Sequence, residues 1–411
     1  MNNLDEKDLL VHELRERSSD VGGHPIGFAA VRQSAKRIQR RRHLVTGGVA
    51  ALVASIALPT GVAVNSALDG AGQPDRQPTF ATSPTQATPS EAPTAPSGPV
   101  TLTLDGLERG AEPGIDYLLG TELVRADGTR VQLEREYQQI APFDDGWVAL
   151  WQENGEYTRD FLDADGTVRD STPSAPGLAV NQAGTQVAYS QVDGGKQQIF
   201  DATGLDARTV EDPDGTRPLT PVGYAGNGVL VFKTEGGPGQ VYVYDERSKV
   251  YEVPANPKLI SARGTSQAQG LVAGQLSYND DGTSCWTVVS YKTGNQLFGK
   301  TCDWTLEKFS PDGRYVVGTP SDGDGVGPRG FAILSAQTGD VLTEFEQDRD
   351  GQLFLGDLVW EDEAHVLATV VDGLESRVVR FGLDGSMEVA SDTVTGEDYE
   401  MPSPIRFATQ P

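Results

Sequence analysis

The chain has 411 residues, with 33 Lys and Arg against 59 Asp and Glu, for a formal net charge of −26. Such an excess of acid repels polyanions and argues against nucleic acid as a partner. Two cysteines and four histidines leave little from which to build a zinc site.

The charge is unevenly spread. Residues 1–43 hold nine Lys/Arg against six Asp/Glu, residues 44–68 hold none, and residues 69–411 hold 24 against 53. Within 1–43, Asn3 caps a first helix with Glu6 three residues on, as in a capping box. A second helix starts near Pro25 and sets Phe28, Val31, Ala35 and Ile38 on one face. That face suits a cytoplasmic regulator or a second copy of itself; the other reading is a helix lying on the inner leaflet, arginines against anionic lipid.

The uncharged run LVTGGVAALVASIALPTGVAVNSAL, residues 44–68, would make a transmembrane helix about 37 Å long, enough for a hydrocarbon core of about 30 Å. Arg40, Arg41 and Arg42 stand directly before it and place the N-terminus in the cytoplasm, with the acidic bulk outside. The run reads either as a retained single-pass anchor or as a twin-arginine export signal cleaved near Gly61-Val62-Ala63. Both readings export the residues beyond 69. A buried helix in a soluble protein is the third alternative. Residues 69–99, rich in Pro, Thr and Ser, lack the large apolar side chains of a core and read as a disordered stalk.

From residue 100 to 411 the pattern is all-β. Seven hairpins recur, from TELVRADGTRVQL at 121–133 to SRVVRFGLDGSMEV at 376–389, about 40 residues apart, the period of a propeller blade. Two further short strands precede most of them, so four-stranded blades closing into a ring are expected, seven in number, with six or eight as the neighbouring solutions. The first hairpin is preceded only by IDYLL, which leaves blade 1 short of an inner strand. PIRFAT at 404–409 would supply it and fasten the ring; the alternative is TLTL at 101–104.

FSPDGRYVVG, Phe309–Gly318, and AQTGDVLTEF, Ala336–Phe345, resemble the strand–turn–strand units of WD-repeat and TolB-like bacterial propellers. Blade 3 has Asn181-Gln182-Ala183-Gly184 where Ser-Pro-Asp-Gly would stand. The whole layout also resembles single-pass membrane propeller proteins of actinobacteria. The resemblance implies a binding surface for a protein, peptide or glycan at the propeller face, and in some members an enzyme.

Both cysteines lie in one hairpin, CWTVVSYKTGNQLFGKTC, 285–302. With Thr293-Gly294 as a two-residue loop, Cys285 faces Cys302 as a non-hydrogen-bonded pair, Cα atoms about 4.5 Å apart, within reach of a disulfide. Two buried thiols are the alternative, and an exported domain favours the bond.

Chemistry is sparse. His365 is the one histidine beyond the uncharged run, at the start of a strand where a structural role is expected. Asp163-x-Asp165-Gly, Asp280-Asp281-Gly and Asp322-Gly-Asp324-Gly are read as turns rather than calcium loops. Trp147, Trp151, Trp286, Trp304 and Trp360 could line a sugar or peptide site, and otherwise belong to the core between blades. No catalytic, cofactor or metal-binding residue is assigned. The expected role is non-enzymatic binding or sensing, with a hydrolase or lyase using face carboxylates and a passive scaffold as the alternatives.

Overall fold

Short apolar strands broken by glycine turns fold into seven sheets, antiparallel but for one added edge strand, arranged as a β-propeller. The computed structural model describes residues 96–408 except 194–195, 204–205, 211–216, 236–238, 246–248, 280–281, 323–326, 348–352 and 397–402. Phe28, Val31, Ala35, Ile38, Arg40, Arg41, Arg42, the run 44–68 and all but the end of the stalk fall outside the described residues. Among the described residues no helix is long and apolar enough to cross a membrane.

The innermost strands, from blade 1 to blade 7, are Ile405–Phe407, Gln139–Phe143, Leu178–Val180, Leu219–Ala225, Ser261–Ser266, Trp304–Phe309 and Leu353–Trp360. Each contacts the next, and the seventh returns to the first. Seven apolar clusters fill the seven junctions between blades. At the junction of blades 6 and 7, Phe331, Phe345 and Phe381 pack with ring centroids 4.9–5.1 Å apart. Aromatic pairs at such spacing add to the area they bury.

Ring closure follows the chain's end. Ile405–Phe407 pairs with Tyr117–Leu119, Tyr117 opposite Phe407, so blade 1 is built from both ends of the domain. TLTL does something else. Val100–Leu102 runs parallel to Val341–Gln347 as a fifth strand on the outside of blade 6, burying Leu102. The chain then reaches blade 7, where the Gly110 amide donates to the Val389 carbonyl at 2.9 Å.

Turn chemistry explains the regularity. In Ser310-Pro311-Asp312-Gly313 the Gly313 amide donates to the Ser310 carbonyl at 2.8 Å, and Gly313 takes the positive φ that a Cβ disfavours. In blade 3 the Gly184 amide donates to the Asn181 carbonyl at 2.9 Å with the same backbone sign. The Asn side chain substitutes for Ser by accepting from the Thr185 and Gln186 amides.

Blade 5 carries the cysteines and departs from the expected register. Its loop is four residues, Tyr291–Gly294, with the Ser290 amide donating to the Asn295 carbonyl at 3.0 Å. Leu297 then bonds to Val288, whereas Thr301 faces Trp286, so Phe298, Gly299 and Lys300 stand against Thr287 alone. Two extra residues in the outer segment thus offset the two extra in the loop, and Cys285 still meets Cys302. Their sulfurs are 2.04 Å apart and their Cα atoms 4.1 Å apart. The irregular partner leaves this sheet with three regular strands.

Candidate functional site: the axial channel

The inner strands of blades 4 to 7 share one local feature. Their register slips by one residue against the second strand, between Pro221 and Gly223, Ala262 and Gly264, Leu306 and Phe309, and Leu355 and Leu358. A β-bulge inserts an extra residue and re-aims a side chain. Here the inserted stretches carry Val222, Arg263, Glu307, Lys308 and Asp357, and all five line the axial cavities. Glycine permits the close approach this requires. A Cβ on Gly264 would overlap the Glu307 carbonyl oxygen of the next blade.

Two adjoining cavities result, sharing Gln139, Gly177 and Lys308 in their walls. One, of about 540 Å³, lies between the bulges of blades 4 to 6 and the first turns of blades 3, 5 and 6. The other, of about 570 Å³, is lined by Gln138, Tyr157, Asp357 and Arg406 among others. Both volumes fall within the range of small-ligand sites.

In the first cavity the charges other than that of Lys308 are paired. Arg263 Nη1 donates to Glu307 Oε1 at 2.9 Å, and Thr319 Oγ1 donates to the same oxygen at 3.2 Å. Glu361 accepts from Arg380 Nη2 at 2.8 Å and from the Gly114 amide at 2.6 Å. Lys233 lies 3.3 Å from Glu235. In the second cavity Lys308, Asp357 and Arg406 come from the inner strands of blades 6, 7 and 1, three neighbours on the ring. Among the described residues none of the three side chains makes an ion pair or hydrogen bond.

The residues singled out from sequence sit mostly elsewhere. Cys285 and Cys302 are in blade 5, away from the lining of either cavity. His365 Nδ1 lies 2.9 Å from Asp362, and the same carboxylate accepts the His365 amide, closing the turn before the strand His365–Asp372. Burial of Asp362 works against its charge, yet the bonds from His365 and Ala364 hold its carboxyl below the usual range. Asp163 and Asp165 form a turn, with the Gly166 amide on the Asp163 carbonyl; Asp280, Asp281 and Asp324 lie outside the described residues. Trp147, Trp286 and Trp360 are buried, while Trp151 and Trp304 are half-buried. Of the five, Trp360 lines the first of these two cavities and the other four line neither.

Sequence reasoning missed the channel residues. An inserted residue in an inner strand looks like any other, and the glycine after Val222 and Arg263 was the one available sign.

No family model matches the chain, and no curated protein matches it in sequence. Solved structures are similar in fold. Oligopeptidase B from Leishmania major matches with a TM-score of 0.49 at 10% identity, over 72% of this chain and 50% of that one. TolB from Acinetobacter baumannii matches at 0.40 and 14%, over 71% and 64%. The β-propeller domain of the trilobed protease from Pyrococcus furiosus matches at 0.44 and 12%, over 62% and 84%. The chain spans about half the length of the oligopeptidase and somewhat under two thirds of TolB. At such identities the likeness concerns fold alone.

Proposed function

We propose that the chain is a membrane-anchored, extracytoplasmic propeller that binds a ligand in its axial channel without transforming it, and that residues 1–43 relay occupancy to a cytoplasmic regulator. The observation that carries the binding role is the series of bulges in four consecutive inner strands, whose inserted stretches put Arg263, Glu307, Lys308 and Asp357 on the channel wall. A hydrolase or lyase reading would need two carboxylates free to exchange protons. Of the carboxylates lining the two cavities, Glu307 and Glu361 are held by Arg263 and Arg380, which leaves Asp357 without a second free carboxylate beside it. The Cys285–Cys302 bond favours an oxidising compartment.

A photo-crosslinking residue in place of Val222 in the full-length chain, in intact cells, tests this reading. Its counterpart replaces Thr129, which is exposed on the outer hairpin of blade 1. Cross-linking at 222 well above that at 129 is expected. Equal labelling at both would refute the channel as the ligand site.

A further inference from the structure

The second cavity holds an imbalance that the rest of the channel lacks. Arg263, Glu307, Glu361 and Lys233 all have charged partners, whereas Lys308, Asp357 and Arg406 have none among the described residues. Two cations in this wall outnumber its single carboxylate and pair with none, and half-burial removes part of their solvation. An incoming carboxylate reverses both penalties, and an arginine can grip it with two parallel bonds. Asp357, on the intervening blade, offers the complementary charge for a cation.

We propose that this cavity takes a short peptide with both ends free, its carboxylate on Lys308 and Arg406 and its ammonium on Asp357. The proposal rests on the channel being the ligand site. Bulges present Lys308 and Asp357, so two of the three charges reach the cavity through an irregularity of the backbone rather than through the ordinary alternation of a strand. The remaining lining suits a peptide. Gln138, Gln139 and Tyr157 offer donors and acceptors for amide groups, and Leu150 and Pro176 offer apolar contact. A polyanion meets the net charge of −26 and has no use for Asp357. A neutral sugar can hydrogen-bond the three side chains but leaves their charges without counter-charges.

Equilibrium dialysis of the full-length protein against three pools of tripeptides with randomised side chains separates the possibilities. One pool has free termini, one is N-acetylated and one is C-amidated. The free pool is expected to be retained about tenfold more than either capped pool, as the loss of one charge-assisted bond implies. D357N should abolish discrimination against the acetylated pool. K308M or R406M should abolish discrimination against the amidated pool, with thermal unfolding unchanged as the control for folding. Equal retention of all three pools, lost on V222W, would overturn the zwitterion assignment and leave the channel as a binding site. No retention of any pool would overturn the peptide assignment, and cross-linking at position 222 then judges the channel separately.

Discussion

The Tyr224 hydroxyl donates a 2.7 Å hydrogen bond to Asp201 across the junction of blades 3 and 4. Burial, and then the charge of Asp201, push the phenol well above its ordinary pKa, so it remains a donor throughout the physiological range. Gln186 supplies a second donor to the same carboxylate at 3.0 Å. Blade 2 repeats the device, with Tyr137 donating to the buried Asp160 at 2.8 Å. Y224F should therefore destabilise the domain by about 1–3 kcal/mol, the cost of leaving part of a buried carboxylate unsatisfied. Urea unfolding followed by tryptophan fluorescence measures it.

The disulfide closes a loop of 17 residues in the one blade without a regular fourth strand. Cross-linking a loop of that length stabilises by about 3 kcal/mol in the chain-entropy account. The C285A/C302A variant should lose about that much, read from the urea midpoint.

Closure by the C-terminal strand places Ile405 and Phe407, 2% and 6% exposed, in the junction of blades 1 and 7. F407A should cost about 3–5 kcal/mol, the usual range for truncating a buried phenylalanine. Limited proteolysis should then cut first in blade 1 or blade 7. Cleavage first in blade 4 would contradict closure at this seam.

Gly264 tests the bulges. A methyl group there would overlap the Glu307 carbonyl, whereas one on Gly299 would meet nothing within 4 Å. G264A should destabilise by about 1–3 kcal/mol, as overpacking does, and G299A by less than about 0.5 kcal/mol. Differential scanning calorimetry compares the two.

Acid should weaken the hairpin turns. Asp384 is held below the usual carboxylate range by the Ser386 hydroxyl and then its amide, and Asp165 by the Thr167 amide and then its hydroxyl. Each carboxyl thus has a lower pKa folded than unfolded. Its contribution is present above the unfolded value of about 3.9 and is lost as pH falls through the folded one. Urea midpoints measured between pH 6 and pH 2 should fall below about pH 4, and D384N should reduce the fall.

Hairpins were legible because their signal is local. TGDVLTEF or LDGSMEV carries its glycine and its alternating strand within ten residues. Closure by Ile405–Phe407 was legible by subtraction, since blade 1 lacked a strand and the C-terminus offered one. The loop at 291–294 is two residues longer than expected because Thr293-Gly294 resembles a two-residue turn. The compensating insertion at 298–300 preserved the cysteine pairing despite that error. Pairing of Val100 with Phe345 joins strands far apart in sequence and leaves no local mark. The channel was hidden for a similar reason. A bulge is a relation between two strands, and neither Lys308 nor Asp357 reveals on its own that it faces the axis.

The most direct test of the channel as a ligand site is the reactivity of one amine. Lys308 is half-buried in the channel wall, while Lys292 and Lys300 are exposed on blade 5. Acetylation of the full-length protein, quantified by peptide mass spectrometry with and without the free-ended tripeptide pool, compares them in one sample. The pool is predicted to slow modification of Lys308 several-fold and to leave Lys292 and Lys300 unchanged. Identical modification of Lys308 in the presence and absence of the pool would contradict a peptide ligand in the channel.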